Sequence, residues 1–189
     1  MHLPSRVLLV AALFALPALA SAEEAPPVRA QRKLMVGAEL GWNSLAGVGV
    51  NASYHLLPRL SVDAGVGYSL VGAKLGARAR VNLLTSEWTP FVAAGFLYGV
   101  GMGNRELSFP VGGQTVALRV TGSPFLQFVG GVDYTDPTGF TFLFTAGYAA
   151  LLRENLVYSS GQDNALATQT LNPIFHSGIA VAAALGYSF

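Results

Sequence analysis

Residues 178–189 read Gly178-Ile179-Ala180-Val181-Ala182-Ala183-Ala184-Leu185-Gly186-Tyr187-Ser188-Phe189, and their alternation decides the fold. Counting back in twos from Phe189 gives Tyr187, Leu185, Ala183, Val181 and Ile179. The intervening positions are Ser188, Gly186, Ala184, Ala182, Ala180 and Gly178, all small. Successive side chains of a strand point to opposite faces. A large apolar face backed by a small one is the pattern of a strand with lipid on one side and a narrow lumen on the other.

The same period recurs upstream. Leu34, Val36, Ala38, Leu40 and Trp42 alternate with Gly37, Glu39 and Gly41; Val48, Val50, Ala52, Tyr54 and Leu56 alternate with Asn51, Ser53 and His55. Val62, Val66 and Tyr68 oppose Asp63, Gly65 and Gly67, and Leu75, Ala79 and Val81 oppose Lys74, Arg78 and Arg80. Val92, Phe96 and Tyr98 mark a fifth strand, and Leu126, Phe128, Val132 and Tyr134 a sixth, with Gln127 and Asp133 inward. Phe140, Phe142, Phe144 and Tyr148 mark the seventh, before the C-terminal eighth. Turns fall at 43–47, 57–59, 85–90 and 136–139, rich in Pro, Gly, Asn and Asp. The expectation is an all-β, eight-stranded antiparallel transmembrane barrel, an up-and-down meander.

Composition agrees. The chain has 189 residues, 52 % hydrophobic and only 11 % charged, with a mean hydropathy of +0.47. Soluble domains carry about 25 % charged residues. No apolar run after residue 22 reaches the roughly 20 residues of a spanning helix, and a closed barrel is the other structure that satisfies its backbone in lipid. A net charge of +1 speaks against a nucleic-acid partner. The absence of cysteine excludes disulfides and thiolate metal sites; no cofactor or metal motif is legible, and Gly99-x-Gly101-x-Gly103 leads into a polar loop without the helix a dinucleotide site needs.

Residues 1–22 read as a signal peptide: Arg6, an apolar run interrupted by Pro17, then Ala20-Ser21-Ala22 as a cleavage site. Residues 23–32, with Pro26-Pro27, read as a short flexible periplasmic leader, and residues 33–189 as the barrel. With both termini periplasmic, the long connections 103–124 and 153–173 fall outside, as such barrels require. Val116, Leu118 and Val120 suggest a hairpin prolonging the fifth and sixth strands; 153–173, with Ser159-Ser160-Gly161-Gln162-Asp163-Asn164, reads as a polar loop. Aromatics fall into two girdles, Tyr54, Trp88, Tyr134, Phe140, Tyr187 and Phe189 at the periplasmic end and Trp42, Tyr68, Tyr98 and Tyr148 at the outer end.

Eight strands enclose a bore only wide enough for side chains. Its charges are Glu39, Asp63, Lys74, Arg78, Arg80 and Asp133. Equal numbers of each sign favour pairing and closure over a selectivity ring, because a lone buried charge is costly. Pairing across the third hairpin sets Asp63 opposite Arg80. By depth, Asp133 joins that pair, and Glu39 with Arg78 forms a second cluster. His55 reads as an isolated filler. His176 and Ser177 are adjacent, so a strand turns them to opposite faces, out of the reach a base and nucleophile need; no catalytic residue is assigned.

The terminal Phe189, with Tyr187 two residues before it, resembles the C-terminal signal by which the barrel-assembly machinery recognises bacterial outer-membrane barrels. In pattern and layout residues 33–189 resemble the small barrels of the OmpA transmembrane domain and OmpX-like group. That resemblance implies the outer membrane of a Gram-negative bacterium, with outer-membrane lipid and lipopolysaccharide as surroundings. Such proteins variously anchor, adhere, stabilise the envelope or pass small solutes. The expected function is a non-enzymatic barrel with a salt-bridged, closed lumen, structural or interacting through its extracellular loops, whose partner the sequence does not name. The rivals are a narrow, porin-like channel for small or apolar solutes and a lipid-modifying enzyme.

Deleting Phe189, or replacing it with Asp, tests the assembly reading. Charge at an interfacial lipid-facing site costs a folded barrel only about 0–1 kcal/mol, so a large fall in membrane-inserted, heat-modifiable protein in cells is the expected result. Normal insertion would leave Phe189 as one more girdle residue.

Overall fold

The computed structural model describes residues 26–160, 169 and 175–189. The signal peptide assigned to residues 1–22 lies outside them, as do 161–164 of the polar loop. A single helical turn, α1 (Val28–Gln31), precedes the first strand. The strands are β1 (Leu34–Trp42), β2 (Val48–Leu57), β3 (Leu60–Ser69), β4 (Gly72–Asn82), β5 (Trp88–Gly99), β6 (Leu107–Val111), β7 (Gln114–Val120), β8 (Ser123–Thr135), β9 (Phe140–Leu151), β10 (Leu156–Ser160) and β11 (Gly178–Ser188).

Eight of them close into an antiparallel barrel in the order β1-β2-β3-β4-β5-β8-β9-β11, with β11 pairing back onto β1. The closing seam runs from Met35 opposite Ser188 to Trp42 opposite Val181. It aligns the small face of β11 with the lumen: Ala180, Ala182 and Ala184 are buried, while Ile179, Val181 and Leu185 are exposed. Closure leaves no barrel edge unpaired, which is what a spanning sheet requires. No helix among the described residues is long and apolar enough to cross a membrane.

Two details depart from the sequence reading. β5 begins at Trp88 and holds Pro90, a position read as turn. β4 ends at Asn82, opposite Phe91, so Pro90 lies just past that end: its carbonyl accepts from Leu83 N–H at 2.9 Å, and its missing N–H falls where the β4–β5 ladder has already stopped. The β3–β4 turn is also tighter, with Ser69 opposite Gly72, which sets Asp63 opposite Arg78 and Ser61 opposite Arg80. The two-residue shift preserves the face of every side chain.

The short turn after β8 is pinned by Asp136, whose carboxylate accepts from Thr138 Oγ1 (2.6 Å) and from the N–H groups of Gly139 (2.8 Å) and Phe140 (3.2 Å). The Thr138 hydroxyl, foremost among these, holds the carboxyl below its ordinary value. A depressed carboxylate stabilises above the unfolded value, about pH 4, and loses that as pH falls through its lowered value.

The long connections build a second sheet in the order β10-β7-β6 at the outer end, the end away from the termini. The hairpin of β6 and β7 is therefore not a prolongation of barrel strands, and residues 156–160 are a strand of this cap. The reason is apolar: Val116, Leu118 and Val120 are fully buried, and Leu107, Phe109, Leu156 and Tyr158 pack against them. Phe109 meets Phe175 edge to face, centroids 6.3 Å apart.

Leu118→Asp tests the cap. An unpaired charge there is severely disfavoured, so limited proteolysis should cut within 103–124 while the barrel stays protease-resistant and heat-modifiable. Loss of the whole barrel would show that cap and wall fold as one unit.

Candidate functional site

The lumen is layered along its axis. Near the inner end, where both termini lie, Asp63 on β3 takes Arg78 Nε at 2.7 Å and Arg80 Nη2 at 3.2 Å, both from β4. Arg80 Nη1 reaches across to Asp133 Oδ2 of β8 at 2.5 Å. Arg78 and Arg80 lie over the Phe91 ring, 5.9 and 5.2 Å from its centroid, and Thr135 Oγ1 donates to Asp133 at 3.1 Å. Asp63, Arg80 and Asp133 are 0 % exposed. Charges so buried persist only when paired and hydrogen-bonded, and here each is.

The second sequence cluster does not form as expected. Arg78 belongs with Asp63, directly opposite it across β3 and β4. Glu39 instead holds the 43–47 connection, accepting from Ala46 N–H at 2.8 Å and Asn51 Nδ2 at 3.1 Å. That connection folds into the barrel, with Leu45 and Ala46 fully buried. Inward Gly65 and Gly76 face one another across β3 and β4; a Cβ on either would meet the Leu45 side chain at 2.9–3.0 Å, so their missing side chains make its seat. Gln127 Nε2 fixes the loop further, donating to Asn43 carbonyl at 2.9 Å. Lys74 is buried with its ammonium 5.6 Å from the Phe125 centroid. Among the described residues no acid lies within ion-pair distance of it.

One member of the network was missed. Arg29 of α1 enters the inner mouth and is 1 % exposed. Its guanidinium contacts Asp133 at 3.1 Å through Nε and Nη2 and donates to the Ser86 and Glu87 carbonyls at 2.6 and 2.8 Å. Arg32 straps the same segment to the opposite side, donating to the Pro137 and Ser188 carbonyls at 2.9 and 2.8 Å and lying over the Tyr187 ring. Residues 28–32 are thus an ordered stopper and not a flexible leader. The wall carries two acids and two arginines in this layer, so Arg29 is a third cation and its charge balance stands without it. Pro27 sits at the N-cap without a side-chain hydrogen bond, so no capping residue marked this turn in the sequence.

His55 is not isolated: its Nδ1 lies 2.7 Å from Ser61 Oγ, both buried. Ser177 Oγ accepts from Leu151 N–H at 2.8 Å, ahead of β11. Among the described residues no three or more His, Asp or Glu side chains gather as a metal site would need.

The inner aromatics form a contiguous belt, with Trp88 stacked on Tyr134 (4.5 Å), Tyr134 edge-on to Phe140 and Tyr187 edge-on to Phe189. Tyr54 lies beside it, opposite Leu34. Trp42, Tyr68, Tyr98 and Tyr148 are exposed near the outer ends of their strands.

No protein-family model and no curated protein sequence matches the chain. Among solved structures it is similar to the N-terminal β-barrel domain of Pseudomonas aeruginosa OprF, with a TM-score of 0.51 at 12 % identity, covering 84 % of this chain and 98 % of that one. Acinetobacter baumannii CarO gives a TM-score of 0.44 at 10 % identity, covering 83 % and 98 %. The chain has the fold of the small, OmpA-type outer-membrane barrels.

The network's hierarchy is testable by urea unfolding in lipid or micelles. Arg80→Ala leaves Asp63 and Asp133 with one arginine each and should cost about 3–5 kcal/mol, as breaking a buried pair does. Arg29→Ala should cost less, about 1.5–3 kcal/mol, because Asp133 keeps Arg80. Equal effects would mean that the layer is not centred on Arg80.

Proposed function

We propose that this chain is a non-enzymatic barrel of a Gram-negative outer membrane whose lumen stays closed and which works through its extracellular loops, as an envelope-structural or surface-interaction protein. The observation that carries this is the buried bridge Asp63–Arg80–Asp133, which joins β3, β4 and β8 across the bore. Arg29 stands on its inner side, and Leu45 and the capping sheet on its outer side. A solute would have to break paired charges and an apolar plug in series, which makes a steady channel the weaker reading. The non-enzymatic part is supported by Ser177, whose hydroxyl is engaged by a backbone N–H, and by the burial of the His55–Ser61 pair. The surrounding lipid and lipopolysaccharide, and insertion by the barrel-assembly machinery, are part of the same proposal. The extracellular face is the cap, where a partner would meet β6, β10 and their connections.

Planar-bilayer recording of the purified protein should show no steady conductance. Arg29→Ala, Arg80→Ala and Asp133→Ala together thin the layer to the Asp63–Arg78 pair but leave the apolar plug in series, so they should admit small ions only when combined with Leu45→Ala. Large steady steps from the unaltered protein would replace this reading with the channel. Lipid A mass spectrometry with and without expression should show no mass change, and a change would reinstate an enzyme.

A further inference from the structure

Beyond a closed lumen, the outer rim carries an unassigned recess. In most of the wall the sheet separates outward from inward side chains. Between the 43–47 connection and the β3–β4 turn they line one cleft of about 350 Å³. Trp42, Val48, Tyr68 and Leu70 approach it from the lipid face, and Gly41, Ser69 and Val71 from the lumen side. Its origin is the inward fold of residues 43–47: with Leu45 drawn into the bore, the rim is notched beside β3. Gly47 at φ +76° forms the junction, where a Cβ would run into the Tyr68 carbonyl.

A second recess of about 410 Å³ continues round the same turn, sharing Tyr68 and Ser69 and reaching Arg105. Arg105 is exposed and is the single charged residue lining either recess. Among the described residues it has no acidic partner. An apolar slot facing lipid at the outer aromatic belt, with one cation at its aqueous end, matches a molecule with one chain and one negative charge. The volume sits at the small end of the range of about 300–1,000 Å³ for ligand pockets, suited to one chain and not to the several chains of an outer-leaflet glycolipid.

We propose that this rim notch binds a long-chain fatty carboxylate from the membrane, its chain between Trp42, Val48 and Tyr68 and its head toward Ser69 and Arg105. The site lies outside the charge network and requires no opening of the lumen, so its fate is independent of whether the barrel conducts.

The chain has two tryptophans, so Trp88→Phe leaves Trp42 in the notch as the only one. That protein, purified from membranes and reconstituted in phosphatidylcholine vesicles, is titrated with dibrominated stearic acid, whose bromines quench a neighbouring indole. Saturable quenching at low mole fraction supports the site. Val48→Phe fills the slot from an exposed position that does not endanger folding, and should abolish saturation. Arg105→Gln should weaken the apparent affinity about fivefold, the weight of one exposed charge contact of about 1 kcal/mol, for the acid and not for its methyl ester. Quenching that rises linearly, matches that of dibrominated phosphatidylcholine, or ignores Val48→Phe would show only bulk lipid against Trp42 and overturn the proposal. Equal binding of acid and ester would overturn the carboxylate assignment.

Discussion

The narrowness of an eight-stranded bore is the constraint on which the rest of this structure depends. Such a cylinder is filled by the side chains that its own strands point inward. Water is therefore kept from an inward charge, and the arginines and aspartates of the inner layer find their partners inside the wall, while Lys74 has the face of Phe125. Asp63, with Arg78 opposite and Arg80 beside it, meets that demand within one hairpin. Arg80 then carries the pairing across the bore to Asp133, tying the third and fourth barrel strands to the sixth. Such a bridge favours one registry of the wall over others, because a slip would strand a buried charge.

The same narrowness explains the polarity along the axis. The inner half is polar, with the arginine–aspartate layer, His55 with Ser61, and the hydroxyls of Thr141 and Ser188 at 2.7 Å. The outer half is mainly apolar: Leu45, Val71, Leu97 and Phe125 join the buried face of the cap in one cluster, with Lys74 as its buried cation. The inner connection 83–87 supplies the Ser86 and Glu87 carbonyls that receive Arg29. The outer connections, short and long alike, bring apolar side chains of their own. Plugging is electrostatic at one mouth and hydrophobic at the other.

Each plug is completed by a segment outside the barrel strands, residues 28–32 at the inner mouth and 43–47 at the outer, and each has a structural consequence. Arg29 is surplus to the wall's charge balance, so the stopper can add to the layer without being needed for its neutrality. The inward fold of residues 43–47 fills the lumen but leaves the rim indented beside β3, and lipid-facing and lumen-facing residues meet there. A closed barrel thereby acquires a side recess without an open pore.

Period two settled most of the architecture from sequence alone. With large and small faces as distinct as those of β11, only one assignment of each residue to lipid or lumen buries the small side. The inward set Glu39, Asp63, Lys74, Arg78, Arg80 and Asp133 was legible for that reason, as were eight strands and the two aromatic belts. Parity does not give depth, however. Whether Asp63 faces Arg78 or Arg80 depends on how tightly residues 69–72 turn, and a shift of two leaves every face unchanged. Nor does it reach residues beyond the strands. Arg29 pairs with Asp133 over 104 residues of chain, Leu45 finds its seat over Gly65 and Gly76, and β10 joins β7 from a different connection. Local sequence determined what each strand shows to lipid and to lumen; closure of the barrel in three dimensions decided which charges meet and what fills the two mouths.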